Sequence, residues 1–390
     1  MGRIYLDHSA TTPVRTEVRE AMEPFLAESD GFGNASSIHS YGQHAKAALD
    51  NSRELLAAAL GAEPSEITFT SGGTEADNLA LIGLAFAHRA KGDHVIVSSI
   101  EHDAILNSAK FLESAGFRVT YVAVDSFGLV DPQSISDAID EKTIVVSIMH
   151  ANNEVGTIQP IREIAAIARE RGVLFHSDAV QSFGQLPVFV DDLGVHALSV
   201  SSHKIYGPKG VGALYLRRGI GITPLLYGGG QERDRRSGTE NIPGIVGFAE
   251  ATRLLLAERD ANSERMQVLR NGFLQKATAQ IEGLRINGHP TRRLPNNINF
   301  SVPGVEGEAM LLNLDIAGIA ASSGSACASG SIEPSHVLLA MNLPAECVRS
   351  ALRLTLGRKT TEAELYATLE TLVRTTQRLR QMTDHTLTAA

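Results

Sequence analysis

Lys204 closes an apolar run, His196-Ala-Leu-Ser-Val-Ser-Ser-His-Lys204, and is followed by Ile-Tyr-Gly-Pro-Lys-Gly210. A lysine at the edge of a dry pocket has its ammonium disfavoured, so it can act as a neutral amine and form a Schiff base with a carbonyl group. Position alone leaves a surface lysine open, because nothing local separates Lys204 from Lys209. Asp178 ends a second apolar run, Gly172-Val-Leu-Phe-His-Ser-Asp178. A carboxylate at that depth needs a cationic partner, and a protonated pyridine nitrogen is one. Capping of the segment that follows is the other reading.

Other polar residues also follow apolar runs. Ser71-Gly-Gly-Thr74-Glu75 lies between Ile67-Thr-Phe-Thr70 and a helical pattern. Gly72 and Gly73 let the backbone approach a ligand, the helix N-terminus offers N–H groups to a phosphate, and Thr74 adds a hydroxyl. The run lacks a Walker A lysine and dinucleotide-fingerprint spacing, which disfavours nucleotide readings; Ser/Thr-Gly turns also cap ordinary helices. His102 could stack on a flat ring and move protons near neutral pH, with a structural histidine as the alternative. Asn153 and Gln181 could bond a ring hydroxyl oxygen. In open α/β sheets ligands collect beyond the carboxyl ends of the strands, and together these residues fit a pyridoxal phosphate (PLP) site.

Two further features suit an amino-acid substrate. In Leu352-Arg-Leu-Thr-Leu356, alternation puts the leucines on one face and Arg353 with Thr355 on the other. Arg353 could clamp a carboxylate bidentately, or be a solvated edge-strand arginine. Asn34, in Gly31-Phe-Gly-Asn34, could assist from the opposite wall. Cys327 sits in Ser322-Ser-Gly-Ser-Ala-Cys-Ala-Ser-Gly-Ser331, a run of small residues with nothing to anchor it in a core. It is expected to be the reactive cysteine, on an exposed and mobile loop. Cys347, in Ala-Glu-Cys-Val-Arg349, reads as buried and inert.

The elements that must position these groups alternate. Apolar runs at 94–99, 143–150, 172–178 and 196–204 read as strands covered on both faces; helical patterns cover 42–60, stopped by Gly61, the segment from Glu75, and 161–171. This order predicts an α/β fold with a mostly parallel, doubly wound sheet. A long charged helical stretch at 241–283 leads into strands at 296–302 and 351–356, a helix at 307–314, and a helix from Thr361. Thr361 and Glu364 have capping-box spacing, and Leu365, Leu369, Leu372 and Val373 form the apolar stripe. The expected division is a large domain over 14–255 and a smaller α+β domain made of 1–13 and 256–390, which carries Cys327.

Composition narrows the function classes. The 390 residues carry 35 basic and 44 acidic side chains, a net charge of −9, which disfavours nucleic acid or an anionic membrane as the main partner. With 43% hydrophobic and 20% charged residues the chain is of ordinary globular type. It has no apolar stretch of membrane-spanning length and no apolar core of a signal peptide at its start. Two cysteines exclude a disulfide framework and a four-cysteine zinc site. A cytoplasmic enzyme without a metal is expected.

The motifs Tyr5-Leu-Asp-His-Ser-Ala-Thr-Thr-Pro13, Thr70-Ser-Gly-Gly-Thr-Glu75, Glu101-His102, Asn152-Asn-Glu-Val-Gly156 and Asp178-Ala-Val-Gln181 resemble those of the cysteine desulfurases. Ser201-Ser-His-Lys-Ile-Tyr-Gly-Pro-Lys-Gly210, Arg236-Ser-Gly-Thr239 and Ser322-Ser-Gly-Ser-Ala-Cys327 extend the match, which looks like the NifS/IscS-type branch. The resemblance implies a PLP-dependent enzyme of the class V aminotransferase group with the aspartate aminotransferase-like fold. It implies that Lys204 holds PLP, Asp178 pairs with the pyridinium, His102 stacks on the ring, and Gln181 and Asn153 contact its oxygen. The phosphate would sit among Gly73, Thr74, Ser201 and His203, completed by Thr239 from the partner of a homodimer. Arg353 and Asn34 would hold the carboxylate of L-cysteine, and Cys327 would take the sulfur as a persulfide and pass it to an acceptor or scaffold protein. Iron–sulfur cluster assembly, tRNA thiolation and DNA phosphorothioation would use the same core. A selenocysteine lyase or another PLP β-eliminating lyase would share every cofactor residue, and a non-catalytic sulfur-carrier scaffold is the reading outside the enzymes. Position 8 is His where the family pattern has Tyr, and position 202 is Ser where it has Gly.

Overall fold

The computed structural model describes residues 2–323 and 334–388. In chain order its strands are β1 (Ile4–Tyr5), β2 (Ile67–Thr70), β3 (His94–Ser98), β4 (Arg118–Val122), β5 (Thr143–Ser147), β6 (Leu174–Asp178), β7 (Ala197–Ser201), β8 (Gly212–Leu216), β9 (Arg285–Ile286), β10 (Asn297–Ser301), β11 (Ile319–Ala320) and β12 (Ala351–Thr355). Seven of them form a sheet in the order β2-β8-β7-β6-β5-β3-β4. Six run one way; β8 is antiparallel to both its neighbours. Both faces of this sheet are buried, and period-2 alternation sends successive side chains into different cores. Ile96, Val146, Phe175, Leu198 and Tyr215 join the core that holds the Ser40–Leu60 and Ile161–Glu170 helices. Val95, Val97, Val145, Ala197 and Leu214 join the core of the Gly73–His88 and Asp103–Ser114 helices.

The expected mostly parallel α/β sheet is therefore present. Its reversed strand was not anticipated, because β8 follows β7 after a Gly/Pro-rich turn with no helix to carry the chain back over the sheet. Two strands end three residues before the ends of their apolar runs. β5 stops at Ser147, and β7 gives way after Ser201 to a tight turn, Ser202–Lys204, in which Ser202 O accepts from the N–H groups of Ile205 and Gly207. Local turn hydrogen bonds win there over continued sheet pairing, and Lys204 lies just past the strand end.

The Ile242–Gln280 helix leaves the sheet and enters a third core. Its later residues Met266, Phe273 and Ala277 meet Ile298 and Phe300 of β10, Leu352 and Leu354 of β12, and Leu365, Leu369 and Leu372 of the final helix, which starts at Glu362. The capping box read from the sequence is formed: Thr361 N–H donates to Glu364 and Glu364 N–H donates to Thr361 Oγ1. Ile4 and Leu6 also belong to this third core, and β1 pairs with β11. The amino-terminal segment thus starts on the third core and then crosses to the turn that carries Lys204.

Register sets up the site. Thr70 of β2 lies opposite Gly212 of β8, which lies opposite Ser201 of β7; Asp178 of β6 lies opposite Ser199 of β7. The carboxyl ends of β2, β6 and β7 therefore meet on one edge of the sheet. Gly212 is required by close approach: a Cβ there would lie 2.6 Å from the backbone carbon of Gly72 and 2.8 Å from Val200 O. Neither atom is the end of a flexible side chain. The Gly212→Ala variant is expected to lose about 1–3 kcal/mol of stability from overpacking, measurable by denaturant unfolding; an unchanged midpoint would contradict the register described.

Candidate active site

Lys204 is half-buried, whereas Lys209 is exposed, so the fold separates two lysines that local sequence does not. The Lys204 ammonium donates to Ala10 O at 2.9 Å and to Ser9 O. These carbonyls belong to a strap, residues 7–12, that is fixed at several points. Gln181 Nε2 donates to Ser9 O at 2.9 Å, Ser9 N–H to Thr355 Oγ1 at 2.9 Å, and Thr12 Oγ1 to His203 O at 2.8 Å. Ser202 turns its hydroxyl against Gly207, where a Cβ would fall within 2.0 Å of it.

Asp178 is buried at the end of β6, and its Oδ1 accepts from Val180 N–H at 2.8 Å. The capping reading is therefore correct for one oxygen, although no helix follows. Burial raises the Asp178 carboxyl above its ordinary range, while the Val180 bond and the charges of His102 and Lys204 pull it down. His102 and Lys204 thus both act on Asp178. His102 caps the Asp103–Ser114 helix, its Nδ1 accepting from Ala104 N–H at 3.1 Å.

Three more ionisable side chains are buried nearby, and the sequence reading gave none of them a role. Asp77, one turn into the Gly73–His88 helix, lies 3.8 Å from His176 Nε2. His176 is two residues before Asp178 and is held by Ser147 Oγ at 2.8 Å and Ser199 Oγ at 3.0 Å; burial lowers it to about 3, so it is neutral. Burial raises Asp77 well above its ordinary value, with the Asp178 charge adding to the effect. Glu101 accepts from Met149 N–H at 3.0 Å, and burial pushes it up to about 8. For His176 the available signal was a histidine directly after the apolar residues Val173-Leu-Phe175, since such groups are rarely buried without partners; Asp77 and Glu101 lie among polar neighbours and gave none.

A candidate phosphate cradle lies on the same edge. Ser201 Oγ is buried with no hydrogen-bond partner among the described residues, and the Gly73 backbone is beside it. A Cβ on Gly73 would lie 3.6 Å from Ser201 Cβ and 2.8 Å from Val180. An orphaned hydroxyl beside a helix N-terminus suits a multi-acceptor anion, and a buried carboxyl under a neighbouring charge suits a pyridinium. By that test the residues fit PLP. His203 Nδ1 contacts Thr11 Oγ1 at 3.1 Å, and burial with the charges of Lys204 and Lys209 lowers it to about 4. Thr74 and His102 both line a cavity of about 720 Å³ between the Gly73–His88 and Asp103–Ser114 helices, lined further by Thr223, Pro224, Leu225 and Tyr227. Thr239 is exposed and lines a small cavity with Thr70 and Ser71, while nearby Arg236 is paired with Glu75 at 2.8 Å.

Arg353 is 3% exposed, which removes the reading of a solvated edge arginine. Its Nη2 donates to Asp7 Oδ1 at 2.9 Å and its Nη1 to Asn153 O at 3.1 Å. Asn153 therefore meets Arg353 through its carbonyl. Asp7 belongs to the strap that holds Lys204, so one short segment touches both groups. The sequence reading quoted Asp7 within a motif but assigned it no task; the signal was an acid just past an apolar residue, Leu6, that follows the first strand. Asn34 is exposed and its Oδ1 accepts from Ser36 N–H; the contacts of the described residues do not tie it to Arg353. Cys347 is buried in the first core, as expected. Cys327 lies outside the described residues, between Ser322, whose backbone pairs with that of Arg353, and Ser335, whose hydroxyl donates to Glu154.

The family model for aminotransferase class V matches residues 4–367. A cysteine desulfurase IscS from Dictyoglomus turgidum is 51% identical over 382 residues, 98% of this chain and 96% of that protein. A cysteine desulfurase IscS from Methanosarcina thermophila is 51% identical, covering 97% of this chain and 93% of its own length. Among solved structures, a NifS-like protein superposes with a TM-score of 0.89 at 38% identity, covering 95% of this chain and 98% of that one.

Glu101 keeps its proton up to about pH 8 in the folded chain, against an ordinary value of 4.5. The unfolded chain releases that proton first, so folding stability falls as pH rises between these values. The Glu101→Gln variant is expected to flatten this slope by up to about 1.4 kcal/mol per pH unit. Unfolding midpoints taken from pH 5 to pH 8 check this; parallel curves for the two proteins would contradict it.

Proposed function

The chain belongs to the class V aminotransferase family, and from that premise we infer that it is a PLP-dependent cysteine desulfurase, which moves the sulfur of free L-cysteine onto its own Cys327 and leaves L-alanine. The observation that carries this reading is the meeting of Lys204 and Asp178 at the ends of neighbouring strands, with Arg353 tied to the strap that also holds Lys204. When bound, PLP supplies an electron sink for charge developing at the substrate Cα.

The chain's own residues divide the remaining work. Gly73, Thr74, Ser201 and His203 would hold the phosphate, joined by Thr239 from a second copy of the chain. Asp178 would pair with the pyridinium, His102 would stack on the ring, and Gln181 and Asn153 would contact its oxygen. Lys204 would anchor PLP and, as a neutral amine, would take the substrate's Cα proton on Nζ. Arg353 and Asn34 grip the α-carboxylate. The Cys327 thiolate then bonds to the substrate sulfur as the bond from that sulfur to Cβ breaks, giving a persulfide on Cys327, and the three-carbon remainder takes up protons to become alanine. The position of Ser322 supports this assignment: Cys327 is five residues further on, a reach of at most about 18 Å from a residue paired with Arg353.

The large unit over 14–255 binds the cofactor, and the unit made of 1–13 and 256–390 brings the carboxylate clamp and Cys327. Exposed Phe111, Leu226 and Tyr227 near the cavity at Thr74 support a homodimer that covers them. The persulfide goes to an acceptor or scaffold protein, in iron–sulfur cluster assembly, tRNA thiolation or DNA phosphorothioation. Among the described residues no helix is long and apolar enough to cross a membrane, in keeping with a cytoplasmic enzyme.

Lys204→Ala protein is expected to lose the visible absorbance of covalently bound PLP; an unchanged borohydride-reducible adduct would contradict the lysine assignment. Cys327→Ala protein is expected to bind PLP and cysteine yet release no sulfide under reducing conditions. Turnover at the wild-type rate in that variant would remove Cys327 from the scheme.

A further inference from the structure

Arg353 already carries a carboxylate. Its guanidinium is buried on the face of β12 opposite Leu352 and Leu354, with Nη2 on Asp7 Oδ1 at 2.9 Å and Nη1 on Asn153 O at 3.1 Å. The backbone of Asp7 is bridged to Thr355, and Asp7 O accepts from Tyr5 OH at 3.0 Å and Ala10 N–H at 3.1 Å. Its side chain, 18% exposed, is the part with room to turn. Two carboxylates sharing one N–H of a guanidinium would be like charges in close contact, an arrangement that disfavours both being ionised.

Taking Arg353 as the clamp for the substrate α-carboxylate, as argued above, we propose that Asp7 is its resident counter-ion and sets the affinity of the site for amino acids. An incoming carboxylate takes the place of Asp7 on Nη2, and the Asp7 side chain turns toward solvent while its backbone stays bridged to Thr355. When alanine leaves, Asp7 returns to the guanidinium. A buried cation is costly without a partner, so the exchange keeps Arg353 paired in both states and weakens every amino-acid complex by the same factor.

The Asp7→Asn holoenzyme tests this, because the amide keeps the shape and the acceptor oxygen but loses the charge. A charge-assisted bond is roughly twice as strong as a neutral one. The dissociation constant for L-alanine, measured by calorimetry, is therefore expected to fall about tenfold. The KM for cysteine falls in step while kcat stays within about twofold, as for an interaction that acts on ground and transition states alike. Asp7→Glu is expected to restore wild-type affinity. Merely structural damage would not tighten binding, so unchanged or weaker alanine binding in Asp7→Asn overturns the proposal. Should that variant fail to fold, wild-type holoenzyme crystallised with L-alanine decides: Asp7 Oδ1 beyond hydrogen-bond reach of Nη2 supports the exchange, and a retained contact overturns it. Arg353→Gln separates the two levels. Loss of alanine binding there upholds the clamp, whereas retained binding removes the clamp and the proposal with it.

Discussion

A single stretch of backbone, residues 7–12, bonds to Lys204 through two carbonyls and to Arg353 through the carboxylate of Asp7. These residues come from different cores: Lys204 follows a strand of the seven-stranded sheet, and Arg353 lies in the three-stranded sheet with β10 and β9. Together with Asn153 O, which also accepts from Arg353, the strap fixes the distance between the amine proposed to act at the substrate's Cα and the guanidinium proposed to grip its carboxylate. Placing reacting groups before the substrate arrives is a large part of what an active site contributes, since misplacement by 1 Å can cost about 100-fold in rate. On that proposal the amino-terminal segment positions both groups. Its anchoring by Ile4 and Leu6 in the third core links the stability of that core to catalytic geometry.

Behind Asp178 the fold gathers acids that are unlike the surface ones. Burial raises Asp77, Glu101 and Asp178 together, and the charge on Asp178 raises the other two further. Near neutral pH, Glu101 keeps its proton, and His176, at about 3, contributes no positive charge. Asp178 has His102 and Lys204 acting on it from the ligand side. A pyridinium arriving beside Asp178 would add to the charges of His102 and Lys204 that favour its carboxylate, with a protonated Glu101 and a neutral His176 nearby.

Much of this was legible in the sequence because the site is built on strand ends, and strands covered on both faces leave continuous apolar runs. Lys204, Asp178, His102, Thr74 and Ser201 each follow or close such a run, so their common edge could be read from topology rules alone. What could not be read was set by long-range pairing. The reversal of β8 depends on a short turn between Lys204 and Gly212. Lys204 is bonded by carbonyls of the strap and is half-buried, whereas Lys209 is exposed. The partnership of Asp7 with Arg353 spans most of the chain and leaves no local spacing to detect. Asn34, read as a second hand on the carboxylate, also holds its own turn through Oδ1.

The central claim is that Lys204, covered by the strap, and not exposed Lys209, faces the cofactor. The most direct measurement is peptide mapping by mass spectrometry of the native protein after borohydride reduction with PLP bound. The account predicts the reduced pyridoxyl mass on Lys204 alone, with Lys209 unmodified. A label on Lys209, or spread over several lysines, would contradict it.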